Sequence, residues 1–273
     1  MIELPESKVF ANEGRKLFKH LVITDVKALK SPHSFCWMNV EPKQMEEQLL
    51  GKRVVDVKSS SHYLRFMLDD GSELTIGEDV TPEYKSLLQE SPKHQLMLTF
   101  QNDMILEFKI KLYGFIIHGF ECDLVKSMPY YKKAVEAIDP LSDKFTYEYF
   151  MEATHLASSK GTVKQALATD QKIPGLGNGI LQDILFDAKL LPKRKINTLS
   201  EDDKKQLYHS VVDIIDKMTT FGGRDNVIHF TGEPGGYEVL MRSDRALCPV
   251  CGNTLTKEAY LGGKVIYCSH CQK

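Results

Sequence analysis

Four cysteines near the end of the chain constrain its fold more than any other feature. Cys248 and Cys251 form one Cys-x-x-Cys pair, and Cys268 and Cys271 form a second pair after a 16-residue spacer. Each pair can place two thiolates at two corners of a tetrahedral zinc ion, and the spacer is long enough for a β-hairpin that brings the pairs together. We therefore predict a closed structural Zn²⁺ site, with two disulfides or four unliganded thiols as the alternatives.

Length and composition place the chain among ordinary globular proteins. A chain of 273 residues with 42% hydrophobic and 26% charged residues is typical of a two-domain protein. No apolar run approaches the ~20 residues that span a bilayer, and the N-terminus shows no signal-peptide pattern. We therefore expect a cytoplasmic protein without a membrane partner, in which disulfides are disfavoured.

The charge of the chain gives a weak indication of its partner. The formal net charge is −2, which by itself argues mildly against nucleic acid. Residues 151–273, however, carry 16 Lys and Arg against 14 Asp and Glu. The second half is therefore the better candidate for contact with an anionic partner.

The first half of the chain has the pattern of a helix followed by strands. Pro5 suits a first helical turn. Asp70-Gly71 predicts a hairpin turn before a strand at Glu73–Ile76, and a second hairpin is predicted from Gln95–Phe100 and Met104–Ile110. Repeated short strands with turn residues between them indicate a β-sandwich flanked by helices, within an α+β fold class.

The second half is predicted to be helical. Helices are expected at Phe145–Ala157, Thr162–Ala168 and Ile180–Ala188, and a further helix begins after Ser200, which is a good N-cap. The glycines of Phe221-Gly-Gly223 are suited to a left-handed cap at the end of that helix.

A glycine-rich turn lies between two of the predicted helices. Gly175, Gly177 and Gly179 surround Leu176 and Asn178, which leaves backbone N–H groups accessible just before a helix start. Such a turn is suited to holding a phosphate. A dinucleotide-binding loop is excluded because the G-x-G-x-x-G spacing fails and the preceding segment is helical. The remaining alternative is a connector without a ligand.

Five motifs in order along the chain resemble those of the formamidopyrimidine-DNA glycosylase/endonuclease VIII family. They are residues Ile2 to Glu6, Asp139-Pro-Leu141, Asp170-Gln171 with Gly175-Leu-Gly177-Asn178, Phe221-Gly-Gly223, and the four-cysteine finger ending in Cys271-Gln-Lys273. The resemblance implies a β-sandwich domain at 1–138, a helix-two-turn-helix domain at 139–223, and a linker with a zinc finger at 224–273. It also implies that DNA binds in the cleft between the domains, with Gly175, Gly177 and Asn178 on a phosphate beside the lesion.

The resemblance implies a catalytic role for the N-terminus. In the family the α-amine of residue 2, normally proline, attacks C1′ of the damaged nucleotide, and the adjacent glutamate assists proton transfer. This chain keeps Glu3 and Glu6 but has Ile2. Removal of an initiator methionine requires a small second residue, so we expect Met1 to be retained. Ile2 then offers only an amide nitrogen, which is not nucleophilic.

Several DNA contacts of the family are altered here. His62 stands in the place of a lysine that contacts phosphate, and Leu112-Tyr113-Gly114 replaces an intercalating Arg-Phe pair. Gly263-Lys264 replaces an arginine five residues before the third cysteine. The expected DNA contacts of this chain are therefore His62, Lys111, Tyr113 and Lys264, together with the glycine-rich turn.

Three classes of function remain open from the sequence. The first is a base-excision-repair glycosylase, in which Glu3 or Glu6 activates water or a retained Met1 amine reaches the sugar. The second is a protein that binds damaged DNA or a DNA structure without catalysis, and the third is a zinc-stabilised protein-interaction module. We expect the first: a monomeric, nucleoid-associated enzyme that acts on double-stranded DNA with a damaged base or abasic site, with weak or absent AP-lyase activity.

Overall fold

The computed structural model describes residues 1–157 and 160–273, which form two compact units. The first unit contains residues 1–136 and 225–235, and the second contains residues 137–224 and 236–273. Across the two described ranges, no helix combines the length and the apolar character that crossing a bilayer requires. We propose a finer division into three domains, with boundaries at 138/139 and 223/224.

The first unit is built on one antiparallel sheet with the strand order β1-β6-β7-β5-β4-β3, to which β2 adds in parallel beside β7. Its strands are β1 (Ile23–Ala28), β2 (Cys36–Met38), β3 (Val54–Ser60), β4 (Tyr63–Leu68), β5 (Glu73–Ser86), β6 (Leu96–Phe100) and β7 (Met104–Gly119). Its helices are α1 (Leu4–Phe18), α2 (Pro42–Leu49), α3 (Glu121–Ser127) and α4 (Pro129–Glu136).

The sheet folds over on itself, so the expected β-sandwich flanked by helices is confirmed. Its two end strands meet where Val22 and Arg53 form an antiparallel bridge. Inside, the ring of Phe18 lies 5.7 Å from the ring of Phe66 on β4 and 5.7 Å from that of Phe100 on β6. Aromatic contacts of this kind stabilise the core beyond the contribution of the apolar area that it removes from water.

Strands β5 and β7 run well past the ends that the sequence predicts for them. The reason lies in two glycines that allow close approach. A Cβ at Gly77 would lie 2.6 Å from the ring of Tyr63, and one at Gly114 would lie 2.7 Å from Val80. The β5–β7 pairing shifts between Glu78 and Val80, which marks a β-bulge where the sheet bends.

The second unit is helical, followed by a small hairpin. Its helices are α5 (Tyr147–Thr154), α6 (Asn178–Asp187) and α7 (Glu201–Thr220), with a π-helical turn at Gln165–Thr169. Its strands are β8 (Thr256–Tyr260) and β9 (Gly263–Tyr267). The hairpin predicted between the two cysteine pairs is thus present.

Three of the four helices predicted for the second unit are α-helices with somewhat different bounds, and the fourth is mostly a π-helical turn. Helix α5 ends before His155, which adopts a left-handed conformation with φ of 54°. The predicted helix at 162–168 is mostly a π-helical turn, because Thr162 pairs with Lys195 in a β-bridge. The N-cap of α7 is as predicted: Ser200 and Asp203 form a reciprocal capping box.

Candidate functional site

The four cysteines of the second unit come together as the sequence predicts. Their sulfur atoms all lie within 4.8 Å of one another. The Sγ atoms of Cys248 and Cys271 are 3.8 Å apart, and those of Cys251 and Cys268 are 3.5 Å apart. Contacts between the two pairs, rather than within them, show that the hairpin closes the cluster. These four sulfurs can hold a metal ion.

The last residues of the chain anchor this cluster to the helical part of the unit. The side chain of Gln272 is buried, accepts a hydrogen bond from the backbone N–H of Cys268 at 2.8 Å, and donates one to the carbonyl of Leu190 at 2.8 Å. The backbone N–H of Lys273 donates to the carbonyl of Lys189 at 2.9 Å. The sequence indicated Gln272 only as a family motif, without this supporting role.

Helix α6 holds the cysteine-bearing segment from the other side. The side chain of Gln182 accepts a hydrogen bond from the backbone of Ile266. The buried carboxylate of Asp183 accepts backbone hydrogen bonds from Leu240 at 2.9 Å and Met241 at 2.8 Å. Burial raises the pKa of Asp183, and these amides act against that shift. The orientation of the finger is therefore fixed relative to the N-terminus of α6.

The glycine-rich turn leads directly into α6. Gly175 adopts a φ of 84°, which a residue with a Cβ rarely tolerates, and Gly177 is the extended N-cap. The helix begins at Asn178, directly after this N-cap and two residues before the predicted start. The first amides of α6 therefore point out of the turn, where the positive end of the helix dipole favours an anion.

Asn178 lies against the tip of the finger hairpin. A Cβ on Gly263 would lie 2.6 Å from Asn178 Nδ2, so this contact needs glycine at position 263. The Oδ1 atom of Asn178 is buried and makes no hydrogen bond among the described residues. The expected contact residue Lys264 follows Gly263 on β9 and is exposed. The turn and the hairpin thus form one surface.

A buried lysine that the sequence analysis missed is bound to the turn of the finger hairpin. Lys164 is 1% exposed, and its Nζ donates a hydrogen bond to the carbonyl of Leu261 at 3.1 Å, in the β8–β9 turn. Burial lowers its pKa. This contact joins the segment before the glycine-rich turn to the finger hairpin, and it could not be read from the sequence because the two residues are 97 positions apart.

The other predicted site residues lie in the first unit, around the start of α1. Glu3 is the N-cap of α1, and Glu3 and Glu6 form a reciprocal capping box. The backbone N–H of Glu3 lies 3.2 Å from Glu6 Oε2. Both carboxylates are buried, at 4% and 2% exposure. They therefore have a structural role in addition to any role in catalysis.

Ile2 is part of the hydrophobic core of the first unit. Its side chain is 2% exposed, and its nitrogen donates a hydrogen bond to the carbonyl of Glu78 at 2.8 Å. Ile2 and Lys111 border the same small cavity of about 70 Å³. The N-terminal ammonium of Met1 lies 2.9 Å from Asp79 Oδ1. With Met1 attached, the nitrogen of Ile2 is an amide that is already hydrogen-bonded.

Glu78 and Asp79 connect these residues and were not predicted. Glu78 Oε1 lies 3.1 Å from Nε2 of His62, and its Oε2 accepts a hydrogen bond from the hydroxyl of Tyr113 at 3.1 Å. Burial alone would raise the pKa of Glu78, but His62 and Tyr113 outweigh burial and lower it. Glu78 also has a left-handed φ of 69°, a strained conformation that a bulge at this point holds in place.

The predicted site residues thus form two groups, each within one unit. The first unit brings together Ile2, Glu3, Glu6, His62, Lys111 and Tyr113. The second brings together Gly175, Gly177, Asn178 and, through its neighbour Gly263, Lys264 beside the cysteine cluster.

Comparison with known proteins identifies one domain of the chain and several relatives. Residues 137–227 match the model of the formamidopyrimidine-DNA glycosylase H2TH domain, where a helix-two-turn-helix domain was expected. A formamidopyrimidine-DNA glycosylase from Carboxydothermus hydrogenoformans is 29% identical over 243 residues, covering 86% of this chain and 87% of the relative. One from Protochlamydia amoebophila is 25% identical over 297 residues and covers all of both chains.

Solved structures share the fold over the whole chain. The MutM (Fpg) protein from Thermus thermophilus has a TM-score of 0.83 at 22% identity, covering 99% of this chain and 98% of that one. Lactococcus lactis Fpg, solved in complex with DNA containing an abasic site, has a TM-score of 0.85 at 23% identity, with 99% of each chain covered. The chain is therefore similar along its whole length to formamidopyrimidine-DNA glycosylases, and its residues 137–227 match their H2TH domain.

Proposed function

We propose that this protein is a DNA glycosylase of base-excision repair that binds damaged DNA and cleaves the N-glycosidic bond of the damaged base. The relatives named above are glycosylases by name, and one neighbouring fold was solved with abasic-site DNA. The observation that carries the proposal is the buried carboxylate of Glu3 at the N-cap of α1, at the position where the family places its proton-transfer group.

We propose that the chemistry is hydrolytic. The amide nitrogen of Ile2 has no lone pair for attack on C1′ and is bound to the carbonyl of Glu78. The carboxylate of Glu3 at the N-cap of α1 is the group that would take a proton from water. The water oxygen then bonds to C1′, the C1′–N bond breaks with its electron pair on the base, and the base takes up the proton that Glu3 received from water. Strand cleavage by β-elimination is weak or absent.

A comparison of base release with strand incision tests this function. Duplexes carrying an oxidised purine, an oxidised pyrimidine, uracil or an abasic site are incubated with the protein. We expect release of at least one free base, with strand breaks appearing only after alkali. Glu3→Gln should lower the rate of release roughly 100-fold, because the proton transfer loses its carboxylate. DNA binding by this variant, measured in parallel, should be retained.

A catalytically inactive DNA-binding protein is the second candidate. The observation that favours it is the burial of Ile2 at 2% exposure, which leaves the family's nucleophile position inside the core. Binding of damaged DNA without release of any base in the same assay would select this candidate over the enzyme.

We propose that Asn178 and the first amides of α6 hold a DNA phosphate. The helix N-terminus supports this role, and the Nδ2 group of Asn178 is the side-chain donor that would bind the phosphate. Asn178→Ala should weaken binding to all DNA sequences about equally, by roughly 1–2 kcal/mol, because phosphate contacts carry no base information. Equilibrium binding to several unrelated duplexes measures this. Unchanged affinity would mean that the turn is only a connector.

We propose that the metal held by the four cysteines is zinc, with a structural role. Four thiolates at ~2.3 Å from zinc lie about 3.8 Å from one another, which fits the sulfur spacing found here. The cysteines leave no open position for water when all four bind. Zinc would therefore hold the hairpin in shape and take no part in the reaction.

A further inference from the structure

Four aromatic residues lie together on and beside the paired strands β2 and β7. The pairing is parallel, with Cys36 opposite Gly114 and Trp37 opposite Phe115. The backbone N–H of Gly114 donates to the carbonyl of Phe35 at 3.0 Å. Side chains alternate along a strand, and residues opposite each other point to the same side. Trp37, Tyr113 and Phe115 therefore lie on one face, and Phe35 lies beside them in the turn that leads into β2; we call these four residues the aromatic platform.

The platform is exposed, although it consists of large apolar rings. Phe35 is 68% exposed, Trp37 is 44% exposed and Tyr113 is 42% exposed, while Phe115 is half-buried. The rings of Trp37 and Phe115 meet edge to face at 5.6 Å, so the platform is ordered. Large exposed rings that are held in place in this way usually mark a binding surface.

The platform is continuous with the group of site residues in the first unit. The hydroxyl of Tyr113 binds Glu78, whose backbone carbonyl binds the nitrogen of Ile2. The carboxylate of Glu78 is in turn in contact with His62. The acidic group at this border is therefore already paired within the protein, and the exposed Lys111 lies two residues from Tyr113.

We propose that the aromatic platform binds unpaired DNA bases, so that this protein favours substrates with single-stranded character beside the lesion; this rests on the proposed function as a DNA glycosylase. Bases stack on aromatic side chains of a β-sheet in other nucleic-acid-binding proteins, independently of sequence, because every base has a π-face. Rings two residues apart on a strand are about 6.8 Å apart, which leaves room for a base beside each ring.

The size of the platform argues against a second copy of the chain as its partner. The exposed parts of the three outer rings amount to roughly 300 Å². A stable protein–protein interface needs about 800 Å² on each partner. One or two stacked bases, in contrast, need no more surface than these rings offer.

Intrinsic fluorescence gives a direct test, because Trp37 is the only tryptophan in the sequence. The zinc-loaded protein is titrated with a single-stranded oligonucleotide and with the same strand in a blunt, fully paired duplex, both free of lesions. We expect the single strand to quench Trp37 fluorescence as it stacks, and the duplex to leave it nearly unchanged.

Variants at Phe35 complete the test. Phe35→Ala should lower the affinity for the single strand by about tenfold and leave the affinity for the duplex within about twofold. Phe35→Leu, which keeps the apolar bulk and loses the ring, should behave in the same way. Tyr130→Ala removes another exposed ring, 78% exposed on α4, and serves as the matched control without effect.

The outcomes separate the proposal from the function on which it rests. Equal losses for single strand and duplex, or no loss for either, would overturn the platform while leaving the glycosylase function standing. A change in sedimentation of the Phe35 variants with protein concentration would identify the surface as a contact between copies and would also overturn it. Failure of the unmodified protein to bind the single strand would overturn the platform, whereas the proposed function is rejected only if the protein neither binds nor releases a base from the damaged duplexes.

Discussion

Replacement of Cys268 by serine is expected to release the metal and to unfold the hairpin of β8 and β9. A two-stranded sheet alone is marginally stable in water. The small core around it contains two of the cysteines themselves, Cys248 and Cys268, with Phe186, Met241, Leu255 and Ile266. Thiolate sites of this kind contribute on the order of 10 kcal/mol to local folding. Metal content and the thermal unfolding profile measure the loss.

Loss of the hairpin should disable DNA binding before the β-sandwich unfolds. Gly263 on β9 lies against Asn178, and Lys164 is bound to Leu261 in the hairpin turn, so the proposed phosphate-binding surface depends on the folded finger. The core of the first unit, in contrast, contains none of the four cysteines. Cys122→Ser changes an exposed cysteine outside the cluster and is the matched control. Stoichiometric zinc in the Cys268→Ser protein, or native DNA affinity without metal, would contradict this account.

The metal site and the α+β architecture could be predicted because their signals are local. The spacing of Cys248 to Cys271 specifies a four-thiolate cluster, and Asp70-Gly71 specifies a hairpin turn, without knowledge of the rest of the chain. Ser200 likewise determines the start of α7 through a capping box that spans only four residues. Such signals depend on residues that are close in the sequence, and they can therefore be recognised in a single sequence.

The contacts that complete the candidate sites are non-local, and the sequence does not reveal them. Glu78 reaches His62 and Tyr113 only because a bulge turns its backbone into a left-handed conformation. Segment 225–235 returns to the first unit, where Phe230 accepts a hydrogen bond from the backbone of Tyr84 at 2.7 Å. Lys164 is buried against a turn 97 residues away. Sheet closure and long-range packing decide these positions, and neither leaves a periodic pattern.

The aromatic platform could not be predicted from the sequence either. Trp37 lies in a short strand without a strong β-pattern, Phe35 lies in the turn before it, and nothing near them in sequence indicates a partner. Only the parallel pairing of β2 with β7 places them beside Tyr113. The rings were visible in the sequence, but the face that they form was not.

The N-terminus provides the other large expected effect: the unmodified protein should form no covalent complex with abasic-site DNA when borohydride is present. Trapping requires an imine, and the nitrogen of Ile2 is an amide bound to the carbonyl of Glu78. Ile2→Pro should create trapping where there was none, because a small second residue allows removal of Met1 and exposes a secondary amine. Intact mass and the yield of trapped complex measure the two steps.

Ile2→Pro is also expected to destabilise the first unit. Ile2 is 2% exposed in the core of the first unit, so proline at this position should lower the free energy of unfolding by about 1–3 kcal/mol. Ile2→Leu keeps a bulky side chain, and therefore Met1, and is the matched control: it should perturb packing without producing any trapping. Glu3→Gln in the Ile2→Pro background should suppress the gained trapping roughly 100-fold, since proton transfer at C1′ loses its carboxylate.

Efficient trapping by the unmodified protein would overturn this account of the N-terminus. Another amine would then be the nucleophile, and the two nearest candidates along the chain are the Met1 ammonium, which lies 2.9 Å from Asp79, and Lys8 on α1. Substitution of Asp79 by asparagine separates them. It removes the ion pair of Met1 and leaves Lys8 in place, so a change in trapping yield would assign the chemistry to Met1, and an unchanged yield would direct attention to Lys8.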